Sequence, residues 1–294
     1  APELDWIKIG YNKSGDDNYR FNGTFDGQGH TISGIYSKSS DSYTGLFGLT
    51  ESNAVIKDFS LTNSYFESSA RGVGSIAGSG RGTFDTIYSD AIVVGKGASV
   101  GGLLGPDAGG GVSVNNCWFA GTVTNIETDS ANGNGTGGLI GNLQNASKVA
   151  NCLNTGTITA ENYNKAARVG GLIGAVSNED AKISHCVNAG KVICNLKNGY
   201  GAFAGHVVGE NMFNHSYAIQ ECCGAFAAGY TSMIDRTTSK LVSQENATGK
   251  DAIINMPALF YYQSEDGNYE SYWVEKENEI PALKSFAEAA KSSV

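Results

Sequence analysis

The feature that most constrains the fold is a short glycine-rich phrase that recurs along most of the chain. Each copy has two or more glycines flanking two or three mostly apolar residues, and the six copies end at Gly48, Gly78, Gly105, Gly141, Gly174 and Gly205. Successive copies are 27 to 36 residues apart. A period of 20 to 50 residues is the signature of solenoids and related arrays. The sequence therefore predicts a stack of structurally equivalent units.

A second pattern follows each phrase and places apolar residues in three aligned columns. The first column comprises Ile56, Phe84, Val114, Val149, Ile183 and Phe213. The second column, three residues further on, comprises Phe59, Ile87, Cys117, Cys152, Cys186 and Ser216. The third column, six residues beyond that, comprises Tyr65, Val93, Val123, Ile158, Val192 and Cys222. Each column is expected to form one row of stacked side chains in the interior.

These repeats favour strands over helices. Glycine accounts for 40 of 294 residues, and each glycine inside a helix costs about 1 kcal/mol relative to alanine. The apolar stretches are short, β-branched and bounded by Gly and Asn, which is typical of strands between tight turns. The sequence predicts an all-β chain, a parallel β-helix of about seven coils over residues 21–230. Residues 1–20 and 231–294 are expected to cap the two ends, with a short helix at 282–292.

Charge and hydropathy exclude several classes of protein. The chain has 20 Lys and Arg residues against 29 Asp and Glu residues, a formal net charge of −9. Nucleic-acid binding depends on clustered basic residues, so no nucleic-acid partner is expected. No apolar run reaches the 18 or so residues that cross a bilayer, and membrane insertion is not expected either.

The repeats resemble a known family. The phrases Gly137-Gly-Leu-Ile-Gly141 and Gly170-Gly-Leu-Ile-Gly174 are similar to the GLUG repeat of bacterial surface and secreted proteins. The opening segment 21–34 and the closing Trp273 with Pro281-Ala-Leu283 are similar to the two ends of such proteins. The resemblance implies a right-handed parallel β-helix at the bacterial cell surface or outside the cell, often an adhesin. Similar repeats also occur beside the catalytic domain of IgA-cleaving metallopeptidases, but the family has no shared catalytic motif.

The cysteines and histidines fit the repeat better than a metal site. Cys117, Cys152 and Cys186 share the second column, and no Cys-x-x-Cys motif is present, so buried structural thiols are expected. A disulfide among Cys194, Cys222 and Cys223 stays open. The zinc-peptidase motif His-Glu-x-x-His is absent. His185 and His215 each precede the second column, where a polar corner is expected rather than a metal pair.

Two strings match catalytic motifs, but neither has the structural context that its chemistry needs. Residues 97–101 fit the Gly-x-Ser-x-Gly nucleophile elbow, and residues 133–138 fit the dinucleotide-binding Gly-x-Gly-x-x-Gly. Both motifs require a strand followed by a helix. Each string instead leads into a glycine-rich repeat, so both matches are interpreted as coincidence.

Carboxylates are the remaining candidates for catalysis. Acid–base hydrolysis of a glycosidic bond needs two carboxyl groups in fixed relative positions. Asp58, Asp85, Asp90 and Asp107 lie on neighbouring coils, but other coils carry Asn, Ser or Gly at the matching positions. A polysaccharide lyase or hydrolase of the β-helix type is therefore kept as an alternative.

The favoured function is a non-catalytic, exported, adhesin-like β-helix that presents a surface to a host or microbial glycan or protein. The expected location is extracellular or on the bacterial cell surface. The chain is expected to be monomeric, with no metal and no cofactor. A structural spacer within a longer surface protein is the third alternative.

The candidate binding residues lie directly after the second column. That position holds Ser60, Tyr88, Trp118, Leu153, Val187 and Tyr217 on successive coils. Because strand side chains alternate between faces, these residues are expected to point outward if the second column points inward. Tyr88 and Trp118, with Tyr217 as a distant third, are predicted to form a ligand-docking strip. The alternative is a half-buried corner beneath a loop such as 124–136.

Overall fold

The computed structural model describes residues 5–11, 19–97, 99–107, 109–126, 135–160, 168–194, 200–209, 212–219, 221, 239–260, 262–263 and 269–289. Its main body is a β-solenoid of about six turns, in which parallel strands from successive turns stack on one another. The predicted all-β, parallel solenoid is confirmed. The turn count is about six rather than about seven, since two of the sheets contain six strands each in the described part of the chain.

The strands of the first turns are short and follow one another closely. In chain order they are β1 (Thr24–Ser33), β2 (Tyr36–Ser39), β3 (Phe47–Leu49), β4 (Val55–Thr62), β5 (Tyr65–Ser68), β6 (Ala77–Ser79), β7 (Gly82–Ser89), β8 (Ile92–Gly95), β9 (Val100–Gly101), β10 (Leu104–Pro106), β11 (Val112–Asn115), β12 (Trp118–Phe119), β13 (Thr122–Asn125), β14 (Gly135–Gly137) and β15 (Ile140–Leu143).

The later turns repeat the same order. Their strands are β16 (Lys148–Ala150), β17 (Leu153–Asn154), β18 (Thr157–Ala160), β19 (Arg168–Gly170), β20 (Ile173–Val176), β21 (Lys182–Ser184), β22 (Val187–Asn188), β23 (Lys191–Cys194), β24 (Tyr200–Gly201), β25 (Ala204–Val207), β26 (Phe213–Asn214), β27 (Tyr217–Ile219) and β28 (Lys240–Val242).

The C-terminal segment has a different pattern. It contains a 3-10 helix (Glu245–Ala247), α1 (Gly249–Asn255), α2 (Pro257–Phe260), β29 (Tyr262–Gln263), β30 (Tyr269–Glu270), β31 (Trp273–Lys276), β32 (Glu279–Leu283) and α3 (Lys284–Ala289). The strand pairs β29–β30 and β31–β32 are antiparallel. Within the predicted helical stretch 282–292, the helix begins at Lys284, because residues 282 and 283 belong to β32.

Four sheets form the faces of the solenoid. Sheet 1 contains β1, β4, β7, β11, β12, β16, β17, β21, β22, β26, β27 and β28. Sheet 2 contains β3, β6, β10, β15, β20 and β25, and sheet 3 contains β2, β5, β8, β13, β18 and β23. Sheet 4 contains β9, β14, β19 and β24. In sheet 1, β4 and β7 each continue through a corner of the chain. In the following turns, two shorter strands such as β11 and β12 replace the single long strand, one on each side of that corner.

The strand register confirms the first two columns. Residues of the first column pair directly from turn to turn, from Ile56 to Phe213, and all are buried. The second column is also buried, including its three cysteines. Parallel stacking thus converts a sequence repeat of about 31 residues into continuous interior rows.

The third column is confirmed with one correction. Val93, Val123, Ile158 and Val192 pair in register. In the turn before them, however, Phe66 rather than Tyr65 pairs with Val93 and is buried. Successive strand side chains face opposite ways, so the one-residue offset places Tyr65 on the outer face. Cys222 lies outside the described residues.

A left-handed corner precedes the second column in each turn. Asp58, Thr86, Asn116, Asn151, His185 and His215 occupy this corner with φ between 49° and 57°. Asn, Asp and His are the non-glycine residues that adopt positive φ most readily. The polar-corner interpretation of the two histidines is therefore confirmed.

Glycines in the repeat phrase leave room for a ladder of buried amides. Asn188 aligns with Asn154 on the preceding turn, and Asn154 Nδ2 donates hydrogen bonds to Asn188 Oδ1 at 2.8 Å and to Gly171 O at 2.9 Å. A Cβ atom at Gly171 would lie 2.0 Å from Asn188 Nδ2. The second glycine of the phrase is therefore required by close packing against the amide ladder.

Both ends of the described solenoid carry additional segments. Residue Ile9 forms a parallel bridge with Phe47, and Trp6 Nε1 donates a hydrogen bond to Leu46 O at 3.1 Å. At the other end, Met256, Leu259 and other apolar residues of the C-terminal segment pack in a second buried cluster with Tyr217. The C-terminal residues cover outward-facing apolar side chains of sheet 1, including Leu153, Val187 and Tyr217.

Replacement of a first-column residue should destabilise the solenoid. Phe84→Ala removes a buried ring and should lower the free energy of unfolding by about 3–5 kcal/mol, measured by urea denaturation. Thr83→Ala, at the half-buried neighbouring position, should change it by less than about 0.5 kcal/mol. Equal effects of the two variants would contradict the assigned register.

The corner histidines should make the protein sensitive to acid. The His185 and His215 rings stack with centroids 5.1 Å apart, and burial, then the neighbouring His215, lowers the pKa of His185 to about 4. An ordinary histidine has a pKa near 6.5, so the unfolded chain binds this proton more readily. The contribution of His185 to stability should therefore be lost as the pH falls from 6.5 towards 4.

His185→Asn should reduce this loss, because Asn occupies the same corner at positions 116 and 151. Thermal unfolding between pH 7 and pH 4 measures the effect. His30→Asn, at an exposed position, serves as the control. The same pH dependence in the wild type and in His185→Asn would show that stacking of the corner histidines is not the cause.

Candidate functional site

The row of residues after the second column exists as predicted. Ser60, Tyr88, Trp118, Leu153, Val187 and Tyr217 pair in register along sheet 1. The Tyr88 and Trp118 rings meet edge to face, with centroids 5.0 Å apart. Both side chains are half-buried. Tyr88 thus lies directly beside Trp118 on the neighbouring turn, but the two rings are half-buried rather than fully exposed.

Tyr217 does not belong to an exposed strip. Its side chain is 2% exposed and packs with Ile219, Val242 and Met256 in the second apolar cluster. The expectation that it points to solvent was wrong, because the C-terminal segment folds over this part of the row. Leu153 and Val187 are buried in the same cluster.

Helix α3 supplies a third aromatic ring. The Phe286 centroid lies 6.2 Å from that of Tyr88 and 6.1 Å from that of Trp118. We name Tyr88, Trp118 and Phe286 the aromatic cluster. The polar edge of the indole is also fixed, since Trp118 Nε1 donates a hydrogen bond to Thr155 Oγ1 at 2.8 Å. Tyr88 and Trp118 are therefore half-buried, as the alternative interpretation predicts. Among the described residues, the contact comes from Phe286 of α3 and not from the loop 124–136.

Two clefts flank the aromatic cluster. Cleft A has a volume of about 500 Å³, and its lining includes Asp26, Gln28, Asp58, Ser60, Thr86 and Phe286. Cleft B has a volume of about 230 Å³, and its lining includes Trp118, Leu153, Thr155, Glu279, Pro281 and Phe286. We name the two clefts and the aromatic cluster together the groove. It lies between the solenoid and the C-terminal segment.

Cleft A opens where the row changes from a large to a small side chain. Tyr88 pairs with Ser60 on the preceding turn, and the serine side chain leaves space beside Phe286. The left-handed corner places Asp58 and Thr86 along the same edge. An apolar ring thus faces hydroxyl and carboxylate groups, a combination that is common in small-molecule sites.

The two carboxylates that line cleft A, Asp26 and Asp58, both pair with Lys57, which is not itself a lining residue. Lys57 Nζ lies 3.1 Å from Asp26 Oδ2 and 3.1 Å from Asp58 Oδ2. The Gln28 backbone N–H donates to Asp26 Oδ1 at 2.9 Å, and this bond and Lys57 lower the pKa of Asp26. The two carboxylates raise the pKa of Lys57. Two negative groups therefore face one positive group at this cleft.

The other carboxylates considered from the sequence support turns. Asp85 Oδ1 accepts a hydrogen bond from Asn116 Nδ2 at 2.9 Å, and Asp90 Oδ1 accepts one from the Asn63 backbone N–H at 2.8 Å. Buried Asp107 accepts hydrogen bonds from the backbone N–H groups of residues 144 and 145 and from Ser147 Oγ. Burial raises the pKa of Asp107 to about 6, although these hydrogen bonds act to lower it. None of these three residues lines either cleft.

The thiols and motif strings do not form a reactive centre in the described part of the chain. Cys117, Cys152 and Cys186 are buried, and burial raises the pKa of the Cys152 and Cys186 thiols above the usual range. Cys222 and Cys223 lie outside the described residues. Ser99 is followed by β9 rather than by a helix, and residues 135–137 of the second string form β14.

The described ranges contain neither a candidate metal centre nor a candidate membrane-spanning helix. No group of three or more His, Cys, Asp and Glu side chains there could hold a metal ion. None of the helices described has the length and apolar character needed to cross a bilayer.

Phe286 and the clefts were not predicted from the sequence. Phe286 lies in the predicted helical stretch 282–292, but nothing in the sequence indicates which face of the solenoid that helix contacts. Asp26 lies in the opening segment 21–34, and it lines cleft A together with residues of the following turns such as Asp58 and Thr86. The sequence does identify the Tyr88–Trp118 pair, because both residues lie directly after the second column.

Comparison with known proteins supports the β-solenoid fold but does not assign the chain to a family. No protein-family profile matches the chain. A crystal structure of a proposed immunoglobulin A1 protease from Bacteroides ovatus is similar over 97% of this chain and 83% of its own, with a TM-score of 0.63 and 19% identity. At that identity the similarity shows the fold alone.

Two curated proteins are similar over parts of the chain. Halomucin from Haloquadratum walsbyi is 35% identical over 91 residues, which is 31% of this chain and 1% of halomucin. A proposed Gly-rich membrane protein from Evansella cellulosilytica is 33% identical over 81 residues, which is 26% of this chain and 9% of that protein. The chain thus spans a small fraction of the length of both relatives.

The different burial of the two tyrosines in the row should be measurable. Tyr217→Ala removes a buried ring and should lower the free energy of unfolding by about 3 kcal/mol or more. Tyr88→Ala removes a half-buried ring at the groove and should have a clearly smaller effect. Thermal melting of both variants tests this. A larger loss for Tyr88→Ala would contradict the placement of the C-terminal segment over the row.

Proposed function

We propose that this chain is a non-catalytic, exported, adhesin-like β-solenoid that binds a glycan in the groove. The observation that carries the proposal is the half-buried Tyr88–Trp118 pair between two clefts. Aromatic rings with a polar edge suit the apolar faces of sugars. The carboxylate and hydroxyl groups of cleft A and Thr155 beside cleft B can pair with sugar hydroxyls.

The repeats support an extracellular or cell-surface location. We propose that they are of the GLUG type, which is characteristic of bacterial surface and secreted proteins. The names of the two curated relatives, a halomucin and a Gly-rich membrane protein, are consistent with this location. The ligand would then be a host or microbial glycan.

The charge arrangement favours binding over hydrolysis. A glycosidase needs one protonated carboxyl group and one ionised carboxylate. Lys57 pairs with the cleft A residues Asp26 and Asp58, and the pKa of Asp26 is lowered. Asp26 is therefore ionised at neutral pH and is not suited to be a general acid. The lowered pKa of Asp26 thus weighs against a hydrolase in which Asp26 is the general acid.

A glycan array followed by titration calorimetry tests the proposal. The array should contain neutral and acidic oligosaccharides, and the strongest binder is titrated into the wild type and the variants. Tyr88→Ala should weaken binding about tenfold or more, which corresponds to about 1.4 kcal/mol. Tyr36→Ala is the matched control, because Tyr36 stacks on Tyr65 at 5.3 Å on sheet 3, away from the groove.

Three results would contradict the proposal. Absence of binding to every array member would favour the spacer alternative. New reducing ends or unsaturated products after incubation with polysaccharides would favour the enzyme alternative. Loss of binding in Tyr36→Ala but not in Tyr88→Ala would place the site on sheet 3.

A further inference from the structure

We propose that cleft A is a sugar subsite selective for uncharged over acidic glycans. The inference rests on the proposed function, because it assigns the glycan class that cleft A accepts. Trp118, Tyr88 and Ser60 lie on successive turns, and Trp118 lines cleft B whereas Ser60 lines cleft A. A ligand that extends from Trp118 along the solenoid axis therefore crosses the Tyr88 position and reaches Ser60 in cleft A.

The lining of cleft A has the groups that bind a pyranose ring. Phe286 offers an apolar surface on one side, and Ser60 and Thr86 offer hydroxyl groups. Asp26 and Asp58 side chains are each 38% exposed, so their oxygens remain accessible to solvent. Hydrogen bonds from sugar hydroxyls to ionised carboxylates are stronger than those between neutral groups.

The same groups exclude acidic sugars. The pair Asp26 and Asp58 outweighs the single charge of Lys57, which already contacts both carboxylates. A uronate or sulfate entering cleft A would meet net negative charge. The overall charge of −9 adds repulsion that salt screens beyond about 10 Å, whereas the local repulsion in the cleft is screened less.

The test compares neutral and acidic members of the same array, printed as matched pairs of neutral hexosaccharides and their C6-oxidised uronate forms. Binding to neutral members should exceed binding to their uronate partners at least tenfold. Asp58→Asn should weaken binding of the neutral sugar and reduce this ratio to about threefold or less. Asn adopts positive φ readily, so the corner at position 58 is expected to fold.

Glu179→Gln is the matched control. It removes one negative charge at an exposed turn and does not line either cleft, so the selectivity ratio should remain unchanged. Equal change in both variants would assign the selectivity to net charge and overturn the inference. Preference for uronates in the wild type would also overturn it. Neutral and acidic binding that both require Tyr88 but ignore Asp58 would overturn this inference alone, whereas no binding at all would overturn the proposed function.

Discussion

Parallel, in-register stacking of the turns is the constraint on which the rest of the structure depends. Each strand takes its hydrogen-bond partners from the turns on either side, so the position of one residue fixes its equivalents in every other turn. A slip of one residue would move the buried columns to the outer face. The uninterrupted burial of the first and second columns shows that the register is kept from turn to turn across repeats of unequal length.

The left-handed corner reconciles two buried columns that lie three residues apart. In a regular strand, residues three apart face opposite sides. The positive φ at positions such as 58, 116 and 185 turns the chain, so both columns point inward. The residue after the second column then faces outward, which places Tyr88 and Trp118 on the surface row. The binding proposal therefore depends on a backbone conformation that Asn, Asp and His adopt readily and that Thr86 adopts in the turn of Tyr88.

The repeat made the solenoid, its interior columns and the outward row predictable from the sequence. The errors occur where the repeat ends or drifts. A fixed offset predicts Tyr65 in the third column, whereas the residue that pairs with Val93 in that turn is Phe66. The repeat predicts an exposed Tyr217, but residues of the C-terminal segment, which has no repeat, cover it. Packing of Phe286 on Tyr88 joins distant parts of the chain, and no local pattern specifies it.

The groove results from incomplete covering of one row. Apolar residues of the C-terminal segment bury Leu153, Val187 and Tyr217 in the second cluster. Trp118, the next residue of the row, is only partly buried against the same cluster. From that point the row continues with Tyr88 and then with Ser60, whose small side chain opens cleft A. Aromatic side chains thus occupy the boundary between the covered and the open part of the row. A half-covered aromatic pair beside an open, polar cleft gives a ligand both an apolar surface and hydrogen-bond partners, which a fully covered or fully polar row would lack.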